Sequence, residues 1–188
     1  LADCGLGDEG MEPFASMACT STPCAVTVLD ISQNSISAIG VAKLAACLHS
    51  ADPTNGPLLR NLEHLQLAGN PLGEAGVSVV IEGLITRRAE NLPPLTHLDL
   101  AETDCGIGGA ILAAKESSVV SLSLFNNNLG SDGFRALAGA MPDILCNSLE
   151  SLDLGGNRAD KASVIELLDG ILQYEKGRAG SSKLMTLI

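Results

Sequence analysis

The stretch N-L-E-H-L-Q-L-A-G-N-P-L-G-E-A-G, at residues 61–76, decides how this chain folds. From Leu62 to Leu72 it follows the spacing L-x-x-L-x-L-x-x-N-x-L, in which the leucines of a short strand alternate with outward residues. With a few exchanges, the same spacing recurs at four further places, starting at Val26, Leu95, Val119 and Leu149. Five copies with one inner spacing predict similar units that stack on one another as a solenoid.

A helical segment follows each predicted strand and turn. Its apolar residues recur about four positions apart, for example at Val77, Val80 and Leu84, and this spacing predicts amphipathic helices behind the sheet. In each strand the leucines are expected to face the core, while the residues between them point outward along one face. Phe134 occupies a helix position that Val41 and Val77 fill elsewhere, so we assign it to helix packing.

Repeat length and turn sequence identify the kind of repeat. The last strand residues fall at 31, 67, 100, 124 and 154, so the steps are 36, 33, 24 and 30 residues. With N-x-L-G-x-x-G after the strand, the pattern resembles the ribonuclease-inhibitor-like leucine-rich repeats. That subfamily includes ribonuclease inhibitor, the Ran GTPase-activating protein, the sensor arms of NOD-like receptors, tropomodulins and the CARMIL actin regulators. The resemblance implies an α/β fold, a right-handed βα horseshoe arc with a parallel concave sheet backed by convex helices.

The resemblance covers nearly the whole chain, so a single leucine-rich repeat domain is expected over 1–188. Neither end shows a capping repeat, and we therefore expect this domain to be a fragment of a longer solenoid. Repeats start near residues 26, 62, 95, 119 and 149, with partial repeats at 1–25 and 184–188.

Three connections carry the added length of the longer repeats. They lie at 49–61, 87–94 and 174–183, and their Gly, Pro and Ser content predicts loops at one rim of the sheet. Arg87 and Arg88 belong to the second of these connections. We expect them to contact a helix C-terminus rather than to form a basic docking site.

Charge and hydropathy narrow the class of partner. The net charge is −11 and the pI is about 4.5, and such a field repels phosphate groups. Neither nucleic acid nor an anionic membrane surface is therefore expected as a partner. No apolar run of about 18 residues occurs, so no membrane-spanning segment is expected.

The cysteines indicate a reducing compartment. Cys4 and Cys105 occupy repeat positions that suit small buried side chains, and Cys47 lies beside the apolar stripe of a helix. Free, buried cysteines predict a cytoplasmic protein, and the uneven repeat lengths favour the cytoskeletal members of the subfamily. Whether Cys19 and Cys24 pair stays open.

The outward strand positions form the candidate partner-binding face. This face is acidic and contains no Lys or Arg, which fits docking of a basic protein, although a solvated acidic surface gives the same pattern. Phe125 is its one aromatic residue and a candidate anchor; the alternative is a ring lying flat over Ala101 and Gly155. The candidate residues are Asp30, Glu63, His64, Gln66, His97, Asp99, Glu102, Phe125, Asn126, Glu150 and Asp153.

His64 and His97 share one column on neighbouring predicted strands. Two imidazoles at that spacing can bind a metal or sense pH, but two solvated histidines beside carboxylates are the commoner arrangement. No metal site and no cofactor is therefore expected. The chain also lacks a phosphate-binding loop, the H-E-x-x-H motif and a nucleophile beside a base, so no catalytic residue is assigned.

A column of asparagines follows the strands, and we assign it a structural role. A buried amide at this position can bond backbone groups of its own turn and of adjacent turns. Loss of one such side chain is expected to reduce stability by about 1–3 kcal/mol, because buried groups stay unpaired. The column consists of Asn34, Asn70, Asn127 and Asn157.

The favoured function is a non-catalytic scaffold that binds a protein partner on its concave face or loop rim. One alternative is a GTPase-activating protein like the Ran regulator, although no residue here maps to that activity. The other is a structural segment of a cytoskeletal or ciliary assembly. Fold does not fix function, so the partner and the oligomeric state stay undetermined at this stage.

Overall fold

Helices and strands alternate throughout the molecule. The structure, a computed structural model, describes residues 1–20, 26–49, 59–177, 183–184 and 186–188. The helices are α1 (Gly7–Thr20), α2 (Ala38–Leu48), α3 (Gly73–Ala89), α4 (Gly106–Lys115), α5 (Gly130–Leu145) and α6 (Lys161–Gly177). The strands are β1 (Val28–Asp30), β2 (His64–Gln66), β3 (His97–Asp99), β4 (Ser121–Ser123), β5 (Ser151–Asp153) and β6 (Thr186–Leu187).

Parts of the predicted connections 49–61 and 174–183 lie outside the described residues. The same holds for Cys24 and for the side chain of Cys19, so their pairing stays a question for the sequence alone. The connection predicted at 87–94 begins later than expected, because α3 continues to Ala89 and includes both Arg87 and Arg88.

The strands form one open parallel sheet in sequence order, from β1 to β6. Each helix packs against its sequence neighbours in a second layer behind the sheet. One leucine of each strand stands in a row of direct partners: Leu29, Leu65, Leu98, Leu122, Leu152 and Leu187. This register and layering confirm the predicted leucine-rich α/β solenoid.

Aliphatic side chains fill the space between the two layers. One helix position holds Val41, Val77, Ala110 and Phe134 in successive repeats, and all four are buried. Phe134 is thus core packing, as predicted. Burial of each such aliphatic side chain is worth about 1.5–3 kcal/mol, which makes the row of repeats the main source of stability.

Asp8 links the first repeat to the second. Its Oδ1 accepts hydrogen bonds from the backbone N–H groups of Ser37 (2.8 Å) and Gly40 (3.0 Å), at the start of α2. Its Oδ2 accepts from the Ser37 hydroxyl at 2.5 Å. A Cβ at Gly40 would lie 2.4 Å from Oδ1, so only glycine lets the carboxylate approach. A carboxylate here also interacts favourably with the positive end of the helix dipole.

Because of these bonds, part of the free energy of unfolding should depend on pH. The Ser37 hydroxyl, followed by the Ser37 amide, lowers the pKa of Asp8 below its ordinary value in the folded chain. A lowered pKa means that this stabilisation is present above the unfolded pKa and is lost as pH falls through the folded pKa. We expect Asp8→Ala to lose less stability than the parent between pH 7 and pH 3 in urea unfolding. Equal losses in both proteins would contradict this assignment.

Arg87 is buried, and none of the residues that the structure describes gives its guanidinium an acidic partner. Only 1% of the residue is exposed, and among the described residues its guanidinium donates to carbonyl oxygens alone. Leu48 ends α2, so the predicted contact with a helix C-terminus is present. The same group also binds the segment before β2 and the connection after α3. The acceptors are the carbonyls of Leu48 (3.0 Å), Leu59 (2.8 Å), Arg60 (2.6 Å), Leu62 (3.2 Å) and Pro93 (2.7 Å).

Arg88 has a different role from its neighbour. Its Nη1 forms an ion pair with Glu116 at 2.5 Å and also contacts the Ser117 hydroxyl. The carboxylate of Glu116 is buried, and it accepts further bonds from the Ser118 backbone and hydroxyl. The pair therefore joins the end of α3 to the turn before β4, and neither arginine forms a free basic patch.

The cysteines divide by their place in the stack. Cys47 and Cys105 are buried, and burial raises the pKa of Cys105 to about 12, which makes its thiol unreactive. The expectation that Cys4 is buried is wrong, because no described turn packs on its outer side. Cys146 is also exposed, and within the described part of the chain Cys4, Cys105 and Cys146 form no disulfide.

Candidate protein-binding face

The parallel register arranges the outward side chains of the sheet in two rows. Direct partners on neighbouring strands lie about 4.8 Å apart, so each row is continuous across the face. The first row contains Val28, His64, His97, Ser121, Ser151 and Thr186. The second contains Asp30, Gln66, Asp99, Ser123 and Asp153.

The other predicted residues flank these rows. Glu63 and Glu150 directly precede β2 and β5, and both are exposed. Glu102, Phe125 and Asn126 lie in the turns after β3 and β4, where Glu102 N–H donates to the Phe125 carbonyl at 2.9 Å. The eleven candidate residues thus belong to one surface, which we call the concave face. No Lys or Arg occupies its described positions, so its electrostatic potential is negative.

Each aspartate of the second row also closes its own turn. Oδ1 of Asp30 accepts from the Ser32 amide (3.0 Å) and hydroxyl (2.6 Å), and the hydroxyl contributes most to lowering the pKa of Asp30. Asp99 and Asp153 accept in the same way from the backbone two residues on, at 3.0 and 2.8 Å. Sequence reasoning missed this role, although Asp before a turn is a known signal for such bonds. The exposed glutamates are therefore better probes of partner binding than the aspartates.

Glu102 occupies a backbone position that usually favours glycine. Its φ is +55°, and the equivalent position of the other repeats also has a positive φ: +56° at Gln33, +67° at Gly69, +52° at Asn126 and +72° at Gly156. A left-handed conformation costs a non-glycine residue roughly 1–2 kcal/mol. Gln33 and Asn126 carry the same cost in their own turns, so this conformation is a shared feature of the repeats.

The sequence left two alternatives open for the Phe125 ring, packing on its neighbours or serving as an accessible anchor, and its position has features of both. A Cβ at Gly155 would lie 3.1 Å from the ring atom Cδ2, so the ring rests against this glycine of the next repeat. The residue is still 41% exposed, which makes it the largest apolar group among the candidate residues. Its position is therefore fixed by Gly155 while much of the ring stays accessible to a partner.

His64 and His97 stack on one another at the centre of the concave face. Their ring centroids are 3.9 Å apart and the planes differ by 20°. The Thr96 hydroxyl lies 2.9 Å from Nδ1 of His97. Partial desolvation, followed by the neighbouring His64, lowers the pKa of His97 against the opposite effect of Glu63. The pair borders a depression of about 230 Å³ that Gln66, Asp99, Ser121 and Ser123 also line.

The asparagine column stands behind the concave face and is buried. Oδ1 of Asn70 accepts from the backbone N–H groups of Asn34 and Ile36, both at 3.0 Å. Its Nδ2 donates to the carbonyls of Ile31 and Leu67, both at 2.9 Å. Each asparagine thus joins its own turn to the preceding repeat. Thr103 occupies the equivalent place in its repeat, where its hydroxyl donates to the Leu100 carbonyl at 2.8 Å.

The described ranges contain neither a cluster of metal ligands nor a helix that could span a membrane. No group of three or more His, Cys, Asp or Glu side chains there is arranged to hold a metal ion. No helix in the described part of the chain has the length and apolar character needed to cross a bilayer.

Comparison with known proteins agrees with this geometry. The protein-family model described as Leucine Rich repeat matches residues 1–15, 23–45, 59–80 and 116–138. The chain is 27% identical to a ribonuclease inhibitor of Sus scrofa over 97% of its own length and 42% of the relative's. A ribonuclease inhibitor of Mus musculus is 26% identical over 89% of this chain and 41% of the relative. A NACHT, LRR and PYD domains-containing protein 1a of Mus musculus is 34% identical over 50% of this chain and 8% of the relative. The chain thus spans about two fifths of the two inhibitors it matches.

Proposed function

Because this chain is a leucine-rich repeat protein of the ribonuclease-inhibitor-like subfamily, we propose that its concave face is a non-catalytic docking surface for a protein partner. A role in protein interaction is general among proteins with these repeats. The observation that supports the concave face is its composition: a continuous outward surface with exposed glutamates and an accessible aromatic ring, and no basic residue at its described positions. Aromatic groups in such positions commonly contribute much of the binding energy.

We infer a basic partner from the charge of this face. A negative strip raises the association rate with a positively charged protein, and the effect weakens as salt screens the charges. Two relatives carry the name ribonuclease inhibitor, so a ribonuclease is the first candidate partner to test. Because the chain spans about two fifths of those relatives, we expect weaker binding than a longer arc would give. The cytoplasmic location inferred from the cysteines stays a prediction.

The test compares charge reversal on the concave face with the same reversal on the helices. Glu63→Lys with Glu102→Lys changes two exposed concave residues and leaves the aspartate turns intact. Glu82→Lys with Asp169→Lys changes the net charge equally at exposed positions of α3 and α6, and serves as the matched control. The binding constant for a basic pancreatic-type ribonuclease is measured by calorimetry at low and physiological salt.

We expect the concave variant to bind at least tenfold more weakly, a loss of about 1.4 kcal/mol, and the helix variant to bind like the parent. Phe125→Ala should weaken binding independently of salt, because it removes an apolar contact rather than a charge. Equal binding by all variants, or an equal loss in the helix variant, would contradict the concave face as the docking surface. If the parent does not bind ribonuclease, that partner is excluded. The same variants are then tested for binding to a protein that the parent captures.

A further inference from the structure

The concave face is lowest along β4, where both outward residues, Ser121 and Ser123, have short side chains. Their direct partners on β3 are the longer His97 and Asp99. This step leaves the depression of about 230 Å³ described above. Because pockets for drug-sized ligands measure about 300–1,000 Å³, the depression has room for one side chain rather than for a larger ligand. Building on the docking function proposed above, we propose that it binds the guanidinium group of one arginine of the protein partner.

The ring of His97 has one free face, on the side of Ser121. His64 on β2 covers the opposite face, with ring centroids 3.9 Å apart and an angle of 20° between the planes. The partner on β4 is Ser121, whose hydroxymethyl group is too short to cover an imidazole. Neighbouring strands lie about 4.8 Å apart, so a planar guanidinium above Ser121 extends the stack as a third layer. Arginine stacks on aromatic faces in this way, whereas the ammonium of lysine has no plane.

Hydrogen-bond acceptors surround the same place. Oδ1 of Asp99 accepts from the Ala101 amide at 3.0 Å, while its Oδ2 has no donor among the described residues. In that part of the chain, no hydrogen bond engages the hydroxyls of Ser121 and Ser123 or the side-chain amide of Gln66. These acceptors match the several N–H donors of a guanidinium, and its bond to a carboxylate is strengthened by charge.

The charges around the depression favour a cation. Asp153 is the direct partner of Ser123 on β5, so the second row places a carboxylate on either side of this serine. No described lysine or arginine lines the depression. Partial desolvation, followed by His64, lowers the pKa of His97, so its ring is neutral at neutral pH and does not repel a guanidinium. Shape, hydrogen bonding and charge together therefore favour arginine over lysine and over uncharged side chains.

The experiment measures arginine binding without a partner protein. The purified chain is titrated at neutral pH with the peptide acetyl-Gly-Arg-Gly-amide, and the dissociation constant is obtained from NMR shifts. Two matched peptides carry lysine or citrulline in place of arginine; citrulline keeps the shape of arginine but has no charge. We expect the arginine peptide to shift the ring signals of His97 and the amide signals of β4. It should bind at least about fivefold more tightly than either control peptide.

Matched variants of the chain locate the bound peptide. Ser121→Val fills the space beside the His97 ring and should weaken arginine binding at least about fivefold. Ser151→Val makes the same change in the same row on β5, outside the depression, and should leave binding unchanged. Asp99→Asn keeps an Oδ1 acceptor for the Ala101 amide but removes the charge, so it should also weaken binding.

The proposal is overturned if the lysine peptide binds as tightly as the arginine peptide, if Ser121→Val binds like Ser151→Val, or if the signals of His97 and β4 do not shift. The result is separable from the docking experiment, which changes Glu63 and Glu102 and measures a whole protein. Loss of protein binding there, without arginine binding here, would retain the docking face and exclude this pocket. Arginine binding here, with protein binding unchanged there, would retain the pocket and contradict the docking face.

Discussion

Arg87→Met is expected to lower the free energy of unfolding by about 3 kcal/mol or more. The substitution keeps an unbranched side chain of similar length but leaves five carbonyl oxygens without their donor. Each buried polar group left unpaired costs about 1–3 kcal/mol, and partial access of water to the carbonyls reduces the sum. Urea denaturation followed by circular dichroism measures the change directly.

Two matched variants separate charge, geometry and general mutational effects at this site. Arg87→Lys retains the positive charge, but its ammonium has three donors without the planar arrangement of the guanidinium, so we expect an intermediate loss. Arg158→Met makes the same exchange at an exposed position and should change stability by less than about 0.5 kcal/mol. If Arg87→Met and Arg158→Met unfold at the same urea concentration, the carbonyl network contributes nothing to stability.

Asn70→Ala is the second substitution with a large expected effect, a loss of about 3 kcal/mol. The alanine leaves two backbone N–H groups and two carbonyls of the paired turns without their partner. These groups lie in the interior, where water does not replace the amide, so the penalty exceeds that of one ordinary hydrogen bond. The loss is read from thermal and urea unfolding.

The chain itself supplies a graded comparison for this position. Asn70→Thr reproduces the residue found at Thr103, whose hydroxyl satisfies one carbonyl, and should lose less stability than alanine. Asn61→Ala changes an exposed asparagine before β2 and should leave the unfolding midpoint unchanged. Identical melting of Asn70→Ala and Asn61→Ala would show that the buried amides do not hold the repeats together.

The strand, turn and helix of each repeat could be predicted because their sequence signals are local and recur along the chain. The spacing from Leu62 to Leu72 places strand, turn and buried amide within eleven residues, and five copies remove the ambiguity of any single one. The inward row of leucines, the helix position of Phe134 and the acidic outward face follow from the same signals. No contact between distant residues was needed for these predictions.

The features that the sequence did not reveal depend on contacts between different repeats. The guanidinium of Arg87 donates hydrogen bonds to carbonyls of three separate segments, and nothing in the local sequence indicates where those carbonyls lie. Asp8 stabilises the start of a helix about 30 residues later, because stacking brings that helix end to its side. Cys4 fits its repeat position, yet its exposure depends on what packs against the outer side of its turn.

The alternation of residues in the strands predicts which side chains point outward, but it shows only part of their chemistry. Alternation shows that Asp30 and Asp99 point outward, whereas their bonds to the following turn require the actual turn geometry. The column of His64 and His97 was evident from spacing, but the face-to-face stacking of the rings was not. The sequence thus predicts the outward residues, and the structure shows that the aspartates among them also hold their turns.

The most direct test of the account is a hydrogen–deuterium exchange footprint of the chain with a bound protein partner, either a ribonuclease or a protein captured by the parent. We predict slower amide exchange at the ends of β2 to β5 and in the turns that carry Glu102 and Phe125. The helices α3 to α6 should exchange as in the free protein. Protection confined to those helices, with unchanged exchange along the strands and their turns, would contradict the concave face as the docking surface.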